Sequence, residues 1–273
     1  MRELRGRVAV VTGAASGIGR ALAARFAADG MRVCLADVER GPLERAAEEI
    51  AAAGAEILAV PTDVARAADV EALREHVLAR FGAVHVVCNN AGVSLGGPVW
   101  EASLDDWRWV LGVNLWGVIH GVRTFVPLLV AQDEGHVVNT ASMAGLTSNA
   151  GSGVYNVSKH GVVTLSETLY RDLAARGARV GVSLLCPSFV ATSILDSARN
   201  RQREVGGDAT RAPAPSADAR RRIVRGLAPS EVAERVVDAI RAERFWVLTH
   251  PETVDRVRRR LEDVVAGRNP GPA

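Results

Sequence analysis

Val8-Ala9-Val10-Val11-Thr12-Gly13-Ala14-Ala15-Ser16-Gly17-Ile18-Gly19 is the stretch whose reading decides the fold. Its first four residues form an unbroken apolar run, the pattern of a strand buried on both faces. Thr12-Gly13 reads as a tight turn. From Ser16 to Ala28 apolar residues recur at helical spacing (Ile18, Leu22, Phe26), and Gly30 is the stop signal. Such a unit aims a helix N-terminus at whatever lies over the turn. Unpaired N–H groups there suit a pyrophosphate, and glycines let the backbone come close to it. Gly13, Ser16, Gly17, Ile18 and Gly19 are therefore candidate nucleotide contacts. Their spacing, Gly-x-x-x-Gly-x-Gly, departs from the commoner G-x-G-x-x-G.

Outward from this unit the alternation repeats. Apolar runs at Val33–Ala36, Glu56–Val60, Val84–Cys88, His136–Asn139, Val180–Leu185 and Phe245–Leu248 read as strands. Helical periodicity covers Leu43–Ala53, Ala67–Phe81, Ser103 to about Val126, Val154–Arg176 and Ser230–Arg241. Ser103 and Asp106 have the form of a capping box, with Pro127 near the far end of that helix. Glu252 to Val265 can form a last helix. This order predicts an α/β fold: a doubly wound sheet of seven mainly parallel strands with helices on both faces, one domain over 1–273. About Ala191 to Pro229 is irregular, rich in Arg, Ala, Pro and Gly, and too long for an ordinary loop. Near strand C-termini it would be a lid or substrate lobe.

Composition narrows the function. The chain has 273 residues, 48% hydrophobic, with a net charge of +2, which argues against a strongly basic nucleic-acid binder. Cys34, Cys88 and Cys186 sit far apart in apolar runs, with neither metal-ligand nor disulfide spacing, and read as small buried hydrophobes. The N-terminus enters a strand with no signal-like or membrane-length apolar run, so a cytoplasmic protein is expected.

Asp37 ends the second strand, where a carboxylate bonds the adenine-ribose hydroxyls of NAD and repels the 2′-phosphate of NADP. Ser16 and Val38, the neighbouring positions, are not basic, although Arg40 is near. Asp63 and Val64 follow the third strand within reach of an adenine ring. Tyr155-Asn156-Val157-Ser158-Lys159, with Ser142 upstream, forms a second constellation. On a helix Tyr155 and Lys159 point from one face, one turn apart. Lys159 is the only lysine among the 33 Lys and Arg residues. Arginine stays charged with a broad planar fork, whereas a lysine pKa can be tuned, so a site kept as Lys is one where that difference matters.

Together these residues resemble the short-chain dehydrogenase/reductase family. The likeness runs from Arg5 to about Thr192 and rests on Thr12-Gly13-x-x-x-Gly17-Ile18-Gly19, Asn89-Asn90-Ala91-Gly92, Asn114, Ser142 and Tyr155-x-x-x-Lys159. Pro187-Ser188-Phe189-Val190-Ala191-Thr192 is similar to the family's nicotinamide-side loop, with Ser188 where glycine is commoner. The resemblance implies a Rossmann-type sheet, a nicotinamide cofactor, and hydride exchange with an alcohol or carbonyl carbon. It implies cofactor contacts at Asn90, Ala91, Gly92, Pro187, Val190 and Thr192. Tyr155 would be the general acid/base, Lys159 the ribose anchor that lowers the phenol's pKa, Ser142 the substrate-oxygen partner, and Asn114 the anchor of a water leading from Lys159 to solvent. Family members are commonly dimers or tetramers through the helices starting near Ser103 and Tyr155. The C-terminus departs from the common pattern: Phe245 to Pro251 leads into an arginine-rich helix.

Chemistry supports the same roles. Removing hydride from a carbinol requires its hydroxyl proton to leave as well. A free tyrosine, with pKa about 10, is a poor base near neutrality until adjacent positive charge favours its phenolate. Around the reacting carbon, Gly92 to Leu95 (including Ser94), Met143 to Leu146 (including Ala144), and Ser188-Phe189 should line the substrate side. They are mostly apolar, which suggests an apolar or aromatic carbinol. Trp100, Trp107, Trp109 and Trp116 cluster in one stretch and read as packing or a subunit interface, with Trp100 as the alternative pocket wall. The leading expectation is an NAD-dependent secondary-alcohol dehydrogenase. Two alternatives are a reductase of carrier-bound 3-ketoacyl groups served by the arginines of the lobe, and an NAD-binding scaffold without catalysis. His120, His136 and His160 show no metal-ligand pattern and read as structural.

Overall fold

The computed structural model describes residue 1, residues 3–201 and residues 216–271. In chain order, β1 (Val8–Thr12), α1 (Gly17–Ala28), β2 (Arg32–Asp37), α2 (Arg40–Ala51), β3 (Ile57–Pro61), α3 (Ala67–Phe81) and β4 (Val86–Asn89) build the first half. Then follow α4 (Leu104–Leu111), a π-helical turn (Gly112–Trp116), α5 (Gly117–Gln132), β5 (Gly135–Thr140), α6 (Gly153–Ala175), β6 (Val180–Cys186), α7 (Ala217–Val224), α8 (Pro229–Arg241), β7 (Trp246–Leu248) and α9 (Val254–Val265).

The seven strands form one sheet in the order β3-β2-β1-β4-β5-β6-β7, and every neighbouring pair is parallel. Parallel strands need helices on both faces, which explains the continuous apolar runs. Ala9, Val11, Val33 and Leu35 face a core shared with Leu22 and Phe26 of α1 and Val232, Val236 and Ile240 of α8. The residues between them, Val8, Val10, Cys34 and Ala36, face Leu73 and Val77 of α3, Phe125 of α5 and Leu169 of α6. A fully buried side chain such as Phe26 contributes about 1.5–3 kcal/mol. Strand order reverses between β1 and β4, so the crevice beyond their C-terminal ends is where this fold binds ligands.

Three expectations change. The helix expected to end near Val126 runs to Gln132, because Phe125 and Leu129 keep it packed on the sheet and Pro127 is absorbed inside it. It stops at Asp133, which takes a left-handed conformation (φ 50°). Leu104–Gln132 is long and apolar enough to cross a membrane by composition, yet half of its most apolar window is buried inside the protein. The lobe is not irregular throughout. Ile194–Asn200 forms a 3-10 turn, and α7 is capped by Ser216, whose hydroxyl accepts from Ala219 N–H at 3.1 Å. Ala-Asp-Ala-Arg-Arg-Arg buries no residue in α7 and so lacks the periodicity that announces a helix. The last helix begins with a short 3-10 turn, Pro251–Thr253, before α9.

The cysteines are free and buried, and burial raises all three thiol pKa values. His136, buried beside Ser183 Oγ at 2.9 Å, is pushed down to about 3 by burial and stays neutral. Among the described residues no three His, Cys, Asp or Glu side chains gather as a metal site.

Candidate active site

A continuous cleft runs along the C-terminal ends of the strands, from Asp37 at one end to Tyr155 at the other. Thr12, at the end of β1, organises its floor. Its hydroxyl accepts from Asn90 N–H (2.9 Å) and Ala91 N–H (3.1 Å), and its carbonyl accepts from Asn90 Nδ2 (2.9 Å). These bonds clamp the β1 and β4 ends together at the topological switch. The glycines are needed for that closeness. Gly13 has φ +66°, and a Cβ there would lie 2.8 Å from Ala91 Cα. A Cβ on Gly19 would strike the Gly13 carbonyl and lie 2.7 Å from Asn90 Nδ2. Gly13, Ser16, Gly17 and Ile18 line the cleft, whereas Gly19 works from behind it. Ser16 caps α1 in an extended conformation without bonding its side chain to the helix, and with Gly17 and Ile18 it brings the helix N-terminus to the cleft lining.

At the first end, Asp37 accepts from Ala15 N–H and Glu39 N–H, each at 3.0 Å. Burial raises its pKa, and those backbone bonds oppose the rise. Asp63 and Val64 lie along the same wall, where the Val64 carbonyl is 2.9 Å from His120 Nδ1. Arg40 is exposed and outside the lining.

At the other end, α6 places Tyr155 and Lys159 one turn apart, and Lys159 Nζ lies 5.7 Å from the centre of the Tyr155 ring. Lys159 is buried and donates to the Thr140 carbonyl at 2.9 Å. Burial pushes its pKa down to about 8. The Tyr155 phenol is raised by burial, and a bond with Ser142 opposes the rise. Ser142 also donates to the Pro187 carbonyl at 3.3 Å and accepts from Ala144 N–H at 3.1 Å, which fixes its hydroxyl beside the phenol.

Asn114 sits in the π-helical turn, buried behind the cleft. The widened turn is a common device at functional sites. Asn114 accepts from Val93 N–H (2.8 Å) and donates to the Val93 carbonyl (3.0 Å) and to Ser158 Oγ (3.0 Å). A Cβ on Gly92 would lie 3.4 Å from Asn114 Oδ1 and 3.5 Å from Lys159 Nζ, so both side chains converge on that glycine. Ala91, Asn90, Pro187, Ser188, Val190 and Thr192 line the same cleft.

Seven expected substrate-side residues lie outside the lining: Ser94, Leu95, Met143, Ala144, Gly145, Leu146 and Phe189. Met143–Gly145 tightens into a 3-10 turn that sends Met143 into the core with Val162 and Leu184. Ser94 is engaged by its backbone, whose N–H donates to Ser197 Oγ at 2.9 Å. Phe189 lies under the Arg222 guanidinium. The tryptophan alternative also changes: Trp100 is 81% exposed, and Trp109 (4% exposed) lines the cleft instead. Val93, Val113 and Ile223 join it, giving that part of the cleft apolar walls.

Sequence reasoning passed over Ser197 and His250 at the site, and it read Arg201 only as one arginine of the lobe. Ser197 ties the lobe to Ser94, and Arg201 reaches Asp106, the capping residue of α4, at 2.6 Å. His250, just after β7, accepts from Ser188 N–H at 3.2 Å on Nδ1 and donates from Nε2 to the Phe189 carbonyl at 3.0 Å. The ring thereby bridges two backbone groups of the loop that walls the cleft. His250→Leu should lower the unfolding free energy by about 1–3 kcal/mol. A urea midpoint reads this, and the Ser188 amide should lose hydrogen-exchange protection. An unchanged midpoint with unchanged protection would mean the bridge does not hold the loop.

The described lobe arginines are mostly engaged at home: Arg199 with Glu39, Arg201 with Asp106, Arg220 with Asp196, and Arg221 and Arg222 with Asp218. Arg203 and Arg211 lie outside the described residues.

With that geometry in hand, the likeness to known proteins is extensive. Residues 7–203 match the family model described as short chain dehydrogenase. A crystal structure of a short chain dehydrogenase/reductase from Burkholderia phymatum in complex with NAD superposes with a TM-score of 0.96, is 48% identical, and covers 100% of this chain and 99% of that one. A structure described as a putative short-chain dehydrogenase from Novosphingobium aromaticivorans gives a TM-score of 0.83 at 34% identity, covering 100% and 90%. The 1-deoxy-11-beta-hydroxypentalenate dehydrogenase of Streptomyces arenae is 39% identical over 263 residues, covering 94% of this chain and 87% of that protein.

Proposed function

The chain belongs to the short-chain dehydrogenase family, and from that premise we propose that it is an NAD-dependent oxidoreductase moving hydride between a secondary alcohol and the nicotinamide, with Tyr155 as general acid/base. The observation that carries this reading is the meeting of the Tyr155 phenol, the Ser142 hydroxyl and the Lys159 ammonium at the far end of a cleft whose near end holds Asp37.

The residues present fit such a cofactor. The glycines let the turn pack against Ala91 and Thr192 where a Cβ would clash, Gly17 and Ile18 of the α1 N-terminus line the cleft, and the Asp37 carboxylate lies at its near end, where ribose hydroxyls would be held. Gly13, Ser16, Gly17 and Ile18 would hold the pyrophosphate, Asp37 the adenine ribose, Asp63 and Val64 the adenine, and Asn90, Ala91, Gly92, Lys159, Pro187, Val190 and Thr192 the nicotinamide half. When bound, the nicotinamide supplies the hydride acceptor. The chain's own work is with protons and position. Ser142 would donate to the developing oxygen charge by turning its single proton from the Pro187 carbonyl toward it. Tyr155 takes the carbinol proton, and Lys159 favours the phenolate by its charge. Asn114, held by Val93 and Ser158, would fix the water that carries protons away from Lys159.

Val93, Trp109 and Val113 support an apolar or aromatic carbinol, and the Streptomyces relative, by its name a dehydrogenase of a hydroxy compound, supports the oxidative direction. The local pairing of the lobe arginines weakens the alternative of a carrier-bound 3-ketoacyl substrate. Trp116 and Val157, each about half exposed, leave apolar surface on the helices expected to join subunits, which supports a homo-oligomer, dimer or tetramer.

The test is a panel of secondary alcohols with NAD and with NADP, followed by absorbance of the reduced cofactor. NAD-dependent turnover of apolar carbinols is the expected result, and no turnover with any carbinol would overturn the reading. Asp37→Ala should shift preference toward NADP, because it removes a carboxylate that a 2′-phosphate cannot approach. Equal use of both cofactors by the parent would contradict the assignment to NAD.

A further inference from the structure

Asp37 is not the only acidic group at the adenosine end. Two residues on, Glu39 precedes α2 and lines the same cleft. Its carboxylate receives both arms of one guanidinium: Arg199 Nε donates to Oε1 at 3.0 Å and Nη2 to Oε2 at 2.8 Å. The third arm, Nη1, donates to the Asp196 carbonyl at 2.9 Å. Arg199 comes from the Ile194–Asn200 turn, which lines the cleft and is held to the segment after β4 by the Ser197–Ser94 and Arg201–Asp106 contacts. It lines the same cleft as Asp37, and Glu39, with a smaller contribution from the charge of Asp37, helps hold the guanidinium protonated. A forked, always-protonated guanidinium in that place is the group that recognises a phosphate. Here its fork is filled by a carboxylate from the chain itself.

We propose that Glu39 is a second determinant of cofactor choice, acting by holding Arg199 in a two-bond ion pair so that it cannot neutralise a ribose 2′-phosphate. This inference rests on the nicotinamide-cofactor reading above and goes beyond it. Glu39 does two things to the phosphorylated cofactor. It adds a negative charge at the ribose, and it withdraws Arg199, a cation that lines the cleft beside Asp37, from that phosphate. Burial opposes ionisation of Glu39 less than the Arg199 bond favours it, so the carboxylate stays charged and the pair intact near neutrality. The arrangement also ties the Ile194–Asn200 turn to the adenosine end of the cleft.

The experiment is direct binding, with no substrate present. Dissociation constants for NAD and NADP are measured by calorimetry on the parent, Glu39→Gln, Arg199→Ala and the double variant. Glu39→Gln should improve the NADP-to-NAD affinity ratio by about tenfold, equivalent to about 1.4 kcal/mol. Adding Arg199→Ala to Glu39→Gln should remove most of that gain, and Arg199→Ala alone should give none. An unchanged ratio in Glu39→Gln overturns the inference. So does a gain that survives in the double variant, since that would reflect loss of a negative charge without any release of Arg199. Failure of the parent to bind NAD would sink the functional reading itself, a different outcome from NAD binding with an unchanged ratio.

Discussion

Tyr155→Phe lowers turnover of a secondary alcohol by about 10²–10⁴-fold, the range for loss of a positioned general acid/base. The substitution removes one oxygen and keeps the ring that Lys159 approaches at 5.7 Å, so the NAD dissociation constant should move little. Structural damage is small for the same reason. The lost partner is Ser142, which keeps its bonds to the Pro187 carbonyl and the Ala144 N–H. The pH profile separates a chemical role from a structural one. Burial raises the phenol above its ordinary value of 10.0, so the reactive phenolate grows as pH rises. Alcohol oxidation by the parent should therefore increase toward alkaline pH, and carbonyl reduction, which needs the protonated phenol, should fall. In Tyr155→Phe that limb disappears from the residual rate. Unchanged turnover at neutral pH would remove Tyr155 from the mechanism.

The part of this site that could be read from the sequence is the part carried by local chemistry. A strand, a glycine turn and a helix stand next to one another in the chain, so Gly13 to Gly19 declare their geometry without help from distant residues. Tyr155 and Lys159 share a helix, so their spacing alone puts them on one face. Asn114 was legible through family likeness, yet the π-helical turn that aims it was not, since nothing in Gly-Val-Asn-Leu-Trp marks a widened turn. Contacts made by residues far apart in the chain were hidden. His250 meets Ser188 across 62 positions, and Arg199 meets Glu39 across 160. Neither pair has a periodic or composition signal. Trp100 and Trp109 show the same limit: the sequence offered Trp100 as the wall, yet it precedes α4 and is exposed, and Trp109 on α4 lines the cleft.

The depressed pKa of Lys159 makes its replacement informative in two directions at once. Lys159→Met should cut turnover by about 10–10³-fold, because a neighbouring cation shifts a pKa by about 1–3 units and the phenolate loses that help. The same change should alter how stability depends on pH. The ammonium's pKa is about 8 in the fold against 10.5 for the free side chain, and burial is the principal cause. Between those values the unfolded chain binds more protons than the folded one, so parent stability rises with pH. The side chain's stability is complete above about 10.5 and is lost as pH falls through about 8, a span of roughly 3 kcal/mol at 1.36 kcal/mol per pKa unit. Methionine carries no such term. Its stability relative to the parent should fall by about that amount from neutral pH to pH 10.5. The unpaired Thr140 carbonyl in the variant costs about 1–3 kcal/mol. That cost is independent of pH, so it displaces the comparison and leaves its slope intact. Urea unfolding of both proteins across this pH range measures the slope. Parallel stability curves would show that Lys159 is not desolvated, and the account of how it tunes Tyr155 would fall with it.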